Sequence, residues 1–302
     1  MKHVAVLMGG WSAEREVSLK SGDPCAAALV RSGYKVTPID VSHNIASVLE
    51  ALKPDVCLNA LHGRYGEDGT IQGLLEIMGI PYTHSGVLAS SLAMDKPVAK
   101  KIFAAAGLHC ADGRVLSRKE ILDGADFPLP MVIKPLNEGS SVGVTILLEN
   151  ENRQLTDIPW TFGNEVLVET YIPGREFHVA VMGDEALGAV EIRPLGRFYD
   201  YEAKYTSGKA EHIMPAPLEK DRYDELLEMG LRAHKALGCR GVSRTDFRFD
   251  DTETGPSEFV ILETNTQPGM TELSLVPEIA AHSGIAFDDL VRWMVEDASC
   301  DR

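Results

Sequence analysis

The first 86 residues alternate short apolar strands with helices, and this alternation restricts the possible folds more than any other feature of the chain. The predicted strands are HVAVLM, KVTPID, DVCLNAL and IPYTH. Between them we predict helices from Ser12, as its cap, to Ser32, near Ile45 to Leu52, and around Ile71 to Met78. Such alternation builds a doubly wound, mostly parallel sheet, which binds ligands outside the carboxyl ends of its strands.

Beyond residue 87 the pattern changes to α+β with antiparallel strands. A helix carrying MDKPVAKKIFAAAG precedes the strands PLPMVIKP, VTILLE, EVLVETYI and EFHVAVM, and a helix over Asp221 to Leu237 precedes a hairpin of GVSRTDFRFD and SEFVILETN. We therefore predict three domains: an N-terminal α/β domain at residues 1–86, a central lobe at 87–180 and a C-terminal lobe at 181–302.

Charge and cysteine content exclude several classes of function. A net charge of −16 argues against a non-specific nucleic-acid binder and against a polybasic membrane anchor. Five scattered cysteines without a C-x-x-C pair indicate reduced thiols in the cytoplasm. The apolar runs are too short for a membrane span, and the first strand is too short for a signal peptide.

Two pairs of polar side chains end the predicted hairpin. Arg244 and Asp246 are two residues apart on one strand, and Glu263 and Asn265 are two apart on the other, so each pair shares a face. Three oxygen donors beside a guanidinium suit Mg²⁺, which completes its shell with water and phosphate oxygens. A surface patch of salt bridges is the alternative interpretation.

Four loops carry further candidate groups. KPLNEGSSVG places Lys134 before a Gly-Ser turn that can wrap phosphate, although an ordinary hairpin turn would use the same residues. MGGWSAEREVS lacks the third glycine of a dinucleotide site, and its Glu14 would attract an ammonium group or simply complement the helix dipole. LHGRYGEDG places His62 at a strand tip, whereas RFYDYEAKYTSGK is either a surface loop or a lid.

Seven segments, taken in order, resemble the motifs of the D-alanine–D-alanine ligases, which are ATP-grasp enzymes of bacterial cell-wall synthesis. They are GGWSAEREVSL, LHGRYGEDGTIQG, MDKPVAKK, VIKPLNEGSSVG, YDYEAKY, RTDF and LETNTQPGMTELSLVP. The resemblance implies a two-lobed ATP-grasp fold after the N-terminal domain. It also implies that ATP phosphorylates the carboxylate of one D-alanine and that the amine of a second D-alanine attacks the acyl phosphate.

The resemblance assigns roles residue by residue. For the nucleotide it implies phosphate contacts from Lys96, Lys134 and Lys204, adenine contacts from Glu169 and Ile172, and a ribose contact from Glu176. For two Mg²⁺ ions, with Mn²⁺ as an alternative, it implies the ligands Asp246, Glu263 and Asn265.

For the amino acids, the resemblance implies that Glu14 binds the first ammonium in a bridge with Ser140 and Tyr205. Arg244 and the backbone amide of Gly269 cradle the oxyanion, His62 lies near the first D-alanine, and Ser274 and Leu275 contact the second. Leu273 departs from the histidine that is common in the family.

Three alternative functions are weighed against this hypothesis. A D-alanine–D-lactate ligase shares the ATP machinery, but Tyr205 matches the dipeptide-forming pattern. An NAD-dependent oxidoreductase lacks its glycine fingerprint here, and a non-catalytic ATP-binding module would not be expected to keep all of these polar positions. The resemblance further implies a cytoplasmic homodimer whose partners are D-alanine and ATP, without nucleic acid or membrane.

Overall fold

The structure is a computed structural model that describes residues 1–139, 143–149, 160, 163–196, 206, 208–253 and 255–300. Within these ranges the chain forms three sheets, of three, four and five strands, with helices packed around them. No helix of the described ranges is long and apolar enough to cross a membrane.

The N-terminal sheet is parallel and covered on both faces, as the sequence predicts. Its order is β2-β1-β3, with strands β1 (His3–Met8), β2 (Lys35–Asp40) and β3 (Val56–Asn59). The alternating helices are α1 (Arg15–Arg31), α2 (Ile45–Leu52) and α3 (Thr70–Met78). On β1, Val4 and Val6 pack in the core cluster that includes α1, while Ala5 and Leu7 pack in the one that includes α2 and α3. Successive side chains on a strand point to opposite faces, so β1 is buried on both sides.

The predicted cap of α1 is wrong, whereas its predicted end is confirmed. Ser12 lies before the helix, which begins at Arg15, and its hydroxyl donates to the backbone carbonyl of His62 at 2.7 Å. Ser12 therefore ties the first loop to the loop after β3. Gly33 follows the last turn in the left-handed conformation, with φ +85°, which only glycine adopts without strain.

The predicted strand IPYTH is also wrong, apart from one residue. Tyr82 alone forms bridges, parallel to Cys57 of β3 and antiparallel to Ser299 near the end of the described chain. The guanidinium of Arg240 lies 4.7 Å from the centre of the Tyr82 ring and donates to the backbone carbonyl of Ser299 at 2.6 Å. Contacts from the C-terminal part of the chain thus complete this edge of the sheet.

The central sheet is antiparallel, with the order β4-β7-β5-β6. Its strands are β4 (Gly113–Ser117), β5 (Met131–Pro135), β6 (Thr145–Leu147) and β7 (Glu165–Thr170), and α6 (Arg118–Leu122) packs on it. The preceding helices, α4 (Val87–Met94) and α5 (Lys96–Ala105), pack instead in the core cluster of the C-terminal sheet. Val132 of β5 lies opposite Glu169 of β7. Because Lys134 is two residues after Val132, Lys134 and Glu169 project from the same face.

The C-terminal sheet is antiparallel, with the order β10-β9-β8-β11-β12. Its strands are β8 (Arg175–Met182), β9 (Glu185–Pro194), β10 (Ala210–Ile213), β11 (Val242–Phe249) and β12 (Phe259–Asn265), and its helices are α7 (Lys220–Leu237), α8 (Leu275–His282) and α9 (Phe287–Asp297). The predicted hairpin of β11 and β12 is therefore confirmed.

The strand EFHVAVM, expected in the central lobe, belongs to the C-terminal sheet. It is β8, which pairs with β9 on one side and β11 on the other. The expected boundary between residues 180 and 181 falls inside this strand. Six consecutive residues of β8 are buried, which suits the middle of a sheet covered on both faces. We propose that the domain boundary lies between Thr170 and Arg175.

Candidate active site

The hairpin of β11 and β12 brings four of the predicted side chains to one end. Arg244 lies opposite Asn265 and Asp246 lies opposite Glu263 in the strand register. Arg244 grips Asp246 with two hydrogen bonds, from Nε at 2.7 Å and from Nη2 at 2.8 Å. Both pairs therefore project from one face at the open end of the hairpin.

Asp246 is a buried carboxylate that Arg244 and His178 hold in the ionised form. Burial opposes ionisation, but Arg244 and His178 outweigh it and hold the pKa of Asp246 well below its usual range. His178 of β8 lies with Nδ1 2.7 Å from Asp246 Oδ1 and Nε2 3.2 Å from Glu176 Oε1. Burial lowers the pKa of His178, yet these two carboxylates raise it above its ordinary value. Sequence reasoning missed His178, because only the pairing of β8 with β11 brings it to Asp246.

The oxygen donors of Asp246, Glu263 and Asn265 fit a magnesium ion by their chemistry. Two carboxylates and one carboxamide are hard donors, and a phosphate-bound Mg²⁺ needs only a few from the protein. No cluster of three His, Cys, Asp or Glu side chains suited to a metal occurs among the described residues, so the third donor here is the amide. The side chain of Asn265 also accepts a hydrogen bond from the backbone of Gln267 at 2.8 Å, which fixes its orientation.

An apolar cleft lies between the central and C-terminal sheets, next to this hairpin. The predicted nucleotide and metal residues that line it are Lys96, Lys134, Glu169, Ile172, Glu176, Asp246 and Glu263. Its apolar walls come from Ala111, Val132, Ile146 and Leu262, which sequence reasoning did not single out. Apolar walls together with lysine side chains in one cleft suit a planar base attached to a polyanion.

One carboxylate in this cleft holds two lysines. Glu169 is buried, and its two oxygens form ion pairs with Lys100 and Lys134. Burial opposes ionisation of Glu169, but the two ammonium groups lower its pKa below the ordinary value. Lys96 is buried next to them, and burial lowers its pKa. Lys100 was not predicted, although it stands one helical turn after Lys96 on α5 and therefore on the same face.

A second cavity opens where the N-terminal sheet meets the hairpin. Its lining includes the predicted residues Glu14, His62, Arg244, Gly269, Ser274 and Leu275, together with Leu273. Lys96 and Glu263 line this cavity as well as the apolar cleft, so the two spaces adjoin. The structure thus brings together groups from the start of α1, the loop after β3 and the segment after β12.

Glycines allow close approach around Glu14 and Gly269. A Cβ atom on Gly63 would lie 2.5 Å from a carboxylate oxygen of Glu14, and one on Gly269 would lie 2.8 Å from Ser274 Oγ. Both distances are shorter than van der Waals contact, so a side chain at either position would displace a predicted substrate group. Both of these atoms lie at the ends of side chains that can move, so packing alone does not demand glycine; at Gly63 the left-handed backbone, with φ +69°, favours it.

Glu67 is a functional candidate that sequence reasoning missed. It is buried in the same cavity, and its carboxyl accepts a hydrogen bond from the backbone N–H of Gly63 at 2.6 Å. Burial and the nearby carboxylate of Glu14 raise the pKa of Glu67 to about 8. The available sequence signal was its position in the glycine-rich loop after β3, five residues beyond His62.

His62 is buried in this cavity as a neutral imidazole. Burial lowers its pKa to about 4, against a backbone hydrogen bond with Gln267 that acts in the opposite direction. Its Nε2 lies 3.1 Å from the hydroxyl of Ser21 on α1.

Three further predicted residues, Ser140, Lys204 and Tyr205, lie outside the described residues.

Two family models match the chain. One, described as D-ala D-ala ligase C-terminus, matches residues 102–296, and one described as D-ala D-ala ligase N-terminus matches residues 43–85. The D-alanine–D-alanine ligases of Methylorubrum populi and Parvibaculum lavamentivorans are each 58% identical to the chain, and the alignments cover 100% of this chain and 99% of each relative.

Solved structures agree with these matches. Two crystal structures of D-alanine–D-alanine ligase from Bacillus anthracis, one of them complexed with ATP, are 34% and 30% identical to the chain. They superpose with TM-scores of 0.82 and 0.80 and cover 98% of this chain and 97% of each neighbour. This similarity confirms the predicted fold class, an N-terminal parallel sheet followed by a two-lobed ATP-grasp fold.

Proposed function

Because the chain belongs to the D-alanine–D-alanine ligase family, we propose that it joins two D-alanines into D-alanyl-D-alanine for peptidoglycan synthesis, converting ATP to ADP and phosphate. One observation carries the proposal: the apolar cleft, with Lys96 and Lys134 in its lining, and the polar cavity adjoin at Lys96 and Glu263, which line both. A phosphoryl group from a nucleotide in the cleft would therefore arrive beside an amino acid in the cavity.

The reaction has two steps. In the first, a carboxylate oxygen of one D-alanine attacks the γ-phosphorus of ATP, and the bond from that phosphorus to the oxygen of the departing ADP breaks. In the second, the deprotonated amine of another D-alanine attacks the acyl carbon, the C–O bond to phosphate breaks, and phosphate leaves. The first step brings an anion against a polyanion, so its barrier falls when fixed positive charges surround the phosphates.

In this proposal the cleft binds ATP. Lys96 and Lys134 neutralise phosphate oxygens, while Glu169 and Ile172 contact adenine and Glu176 contacts ribose. The burial of Lys134 and Glu169 as an ion pair supports these roles, because a fixed pair needs little reorganisation when the nucleotide binds. Lys204, from the resemblance alone, adds a third phosphate contact.

Asp246, Glu263 and Asn265 would hold magnesium against the phosphates. A Mg²⁺ ion held there would neutralise charge on the phosphate groups. The chain's own contribution is to fix the three donors: Arg244 and His178 orient Asp246, and the strand register sets Glu263 opposite it. Manganese is an alternative ion with the same donor preference.

The cavity binds the two amino acids. Glu14 receives the ammonium of the first D-alanine, in a bridge with Ser140 and Tyr205. Arg244 and the backbone N–H of Gly269 stabilise the oxyanion of the tetrahedral intermediate. Ser274 and Leu275 bind the second D-alanine; their place next to Gly269 in the cavity lining supports this role.

Phosphate release from ATP tests the proposed function. With D-alanine, L-alanine and D-lactate offered in turn, we expect release with D-alanine alone and D-alanyl-D-alanine as the product. The depsipeptide alternative requires D-alanyl-D-lactate to dominate when both nucleophiles are present at neutral pH; the curated relatives, which are named for the dipeptide activity, do not favour it.

We also propose a homodimer in the cytoplasm. Ile77 on α3 and Leu88 on the adjacent α4 are 88% and 68% exposed, so two large apolar side chains project from neighbouring helices. Light scattering after size exclusion tests the dimer: Ile77→Asp should convert it to a monomer. Cys25 and Cys57, both buried in the N-terminal domain, carry free thiols, which supports a reducing compartment.

A further inference from the structure

The segment that carries Gly269 is held at both of its ends by buried groups from distant parts of the chain. At one end, the backbone N–H of Met270 donates to the hydroxyl of Ser21 at 3.1 Å. At the other end, His62 forms its hydrogen bond with the backbone of Gln267. Ser21 and His62 are themselves joined, with Oγ and Nε2 3.1 Å apart, and both are buried.

The direction of each hydrogen bond follows from the number of protons available. The hydrogen bond with the Gln267 backbone raises the pKa of His62, so a ring N–H donates it to the carbonyl oxygen; because Nε2 faces Ser21, that donor is Nδ1–H, and a neutral ring has no second proton. Nε2 is therefore the unprotonated ring nitrogen. Nε2 accepts the proton of the Ser21 hydroxyl, whose oxygen in turn accepts from the backbone N–H of Met270. Both ring nitrogens are thereby used inside the protein.

We propose that Ser21 and His62 form a clamp around residues 267–270 and are positioning residues for the backbone N–H of Gly269. The proposal rests on the oxyanion role given to that N–H above. It differs from the expected role of His62 beside the first D-alanine, because a ring with both nitrogens engaged has neither a proton nor a lone pair to offer a substrate.

The clamp controls the orientation of the Gly269 amide plane, because other contacts already hold the rest of the segment. The side chain of Gln267 already exchanges hydrogen bonds with the side chain and backbone carbonyl of Asn59, so that end of the segment is anchored twice. Gly269 has no side chain through which it could be held. The end at Met270 is tied by Ser21, and loss of the Ser21 hydroxyl releases it.

Ser21→Ala tests the clamp, with Ser18→Ala as the matched control. Both serines are fully buried on α1, and the Ser18 hydroxyl also makes two hydrogen bonds, to Gly9 N at 2.9 Å and Ala60 O at 2.7 Å. The two variants should lose similar stability. We expect Ser21→Ala to lower kcat by about 10- to 100-fold, since a displaced oxyanion donor costs about that much, and to leave KM for ATP unchanged. Ser18→Ala should keep kcat within about threefold.

Two further readouts separate positioning from a general loss of structure. A phosphinate analogue of D-alanyl-D-alanine, which mimics the tetrahedral intermediate, should bind Ser21→Ala more weakly by the same factor as kcat falls. Nitrogen-15 NMR of labelled histidine at pH 7 should show His62 as the neutral Nδ1–H tautomer, assigned by its loss in His62→Asn. If Ser21→Ala does not fold, Ser21→Cys, which keeps the volume with a weaker donor, takes its place.

The outcomes are distinct. An unmutated protein that makes no D-alanyl-D-alanine would refute the proposed function, whatever the serine variants do. Activity in the unmutated protein, combined with equal kcat in Ser21→Ala and Ser18→Ala, would overturn the clamp alone. A charged His62 ring, or the Nε2–H tautomer, at pH 7 would also overturn it.

Discussion

The proposed site has a nucleotide half, the apolar cleft, and an amino-acid half, the adjoining cavity. Both halves bury ionisable groups, but the groups are charged in the first half, whereas two of those in the second are neutral. In the nucleotide half, Glu169 and Asp246 have pKa values below their ordinary ones despite burial. In the amino-acid half, burial raises the pKa of Glu67 to about 8 and lowers that of His62 to about 4. The first half is therefore a set of fixed charges, whereas these two groups of the second half are neutral at pH 7.

The difference shows that the neighbours of a buried group, rather than its depth, decide its charge. Glu169 has two lysines on its oxygens, and the Coulomb attraction exceeds the cost of leaving water. Glu67 faces the carboxylate of Glu14 instead, so its neutral form is favoured. A polyphosphate needs fixed cations, and the two lysines that Glu169 holds in place match that proposed ligand.

Removing a charge at the junction of the halves should have the largest effect. We expect Glu263→Gln to lose more than about 99% of turnover, because a lost charged ligand at a metal–phosphate site costs several kcal/mol of transition-state stabilisation. The fold should survive, since Glu263 lies at a strand end and keeps its size. Phosphate release at saturating Mg²⁺ measures the turnover. Near-normal turnover in the folded variant would refute the assignment of Glu263 as a metal ligand. Glu258→Gln, an exposed neighbour before the same strand, is the control and should be fully active.

Removing the charge of Glu169 tests whether the nucleotide half depends on its fixed charges. Glu169→Gln leaves Lys100 and Lys134 buried without their anion, which should lower the free energy of unfolding by about 3–5 kcal/mol and weaken ATP binding. Because its folded pKa is lowered, the carboxylate stabilises the fold at neutral pH and loses that contribution as pH falls through the folded pKa. Urea unfolding and calorimetric ATP titration measure the two effects.

Glu191→Gln is the matched control for that variant. Glu191 is as buried as Glu169 and also holds two cations, Arg175 and Arg193, but it does not line the cleft. It should lose stability and keep its affinity for ATP. Equal affinity for ATP in both variants would show that the Glu169 pair is purely structural.

The same substitution at Glu67 should be nearly silent for stability at acid pH. Below its folded pKa of about 8 the Glu67 carboxyl is protonated and resembles an amide, so Glu67→Gln should change stability little near pH 5. A raised folded pKa means that the unmutated protein loses stability as pH rises from the ordinary value through about 8. Glu67→Gln has no carboxyl group to ionise and does not lose this stability. The free energy of unfolding of the variant, relative to that of the unmutated protein, should therefore increase with pH. Urea unfolding from pH 5 to 9 measures it, and a difference independent of pH would contradict the neutral carboxyl.

The smallest effect is expected where the amino-acid half meets solvent. Leu273 lines the cavity but is 38% exposed. Leu273→His introduces the histidine that the resemblance implies at this position, and we expect kcat at pH 8 to change by no more than about twofold, as exposed substitutions do. Steady-state kinetics with varied D-alanine measures it. A change above tenfold would mean that residue 273 contacts the second D-alanine directly.

Local periodicity in the sequence was enough to predict much of the fold and part of the site. Strand–helix alternation gave the parallel N-terminal sheet, and the two-residue spacing of Arg244 with Asp246 and of Glu263 with Asn265 put both pairs on one face of a hairpin. These features repeat over a few residues, so they can be read without knowing where the rest of the chain lies. The residue-by-residue roles came from the family motifs instead.

Tertiary structure decided the features that join distant segments. The alternation of EFHVAVM suits either sheet, and only strand pairing placed β8 next to β11, bringing His178 to Asp246. Ser21 and Met270 are 249 residues apart along the chain, so no local pattern links them. The charge states were likewise hidden from the sequence, because a pKa depends on which charges and how much solvent surround the folded side chain, and those neighbours are set only when the domains pack together.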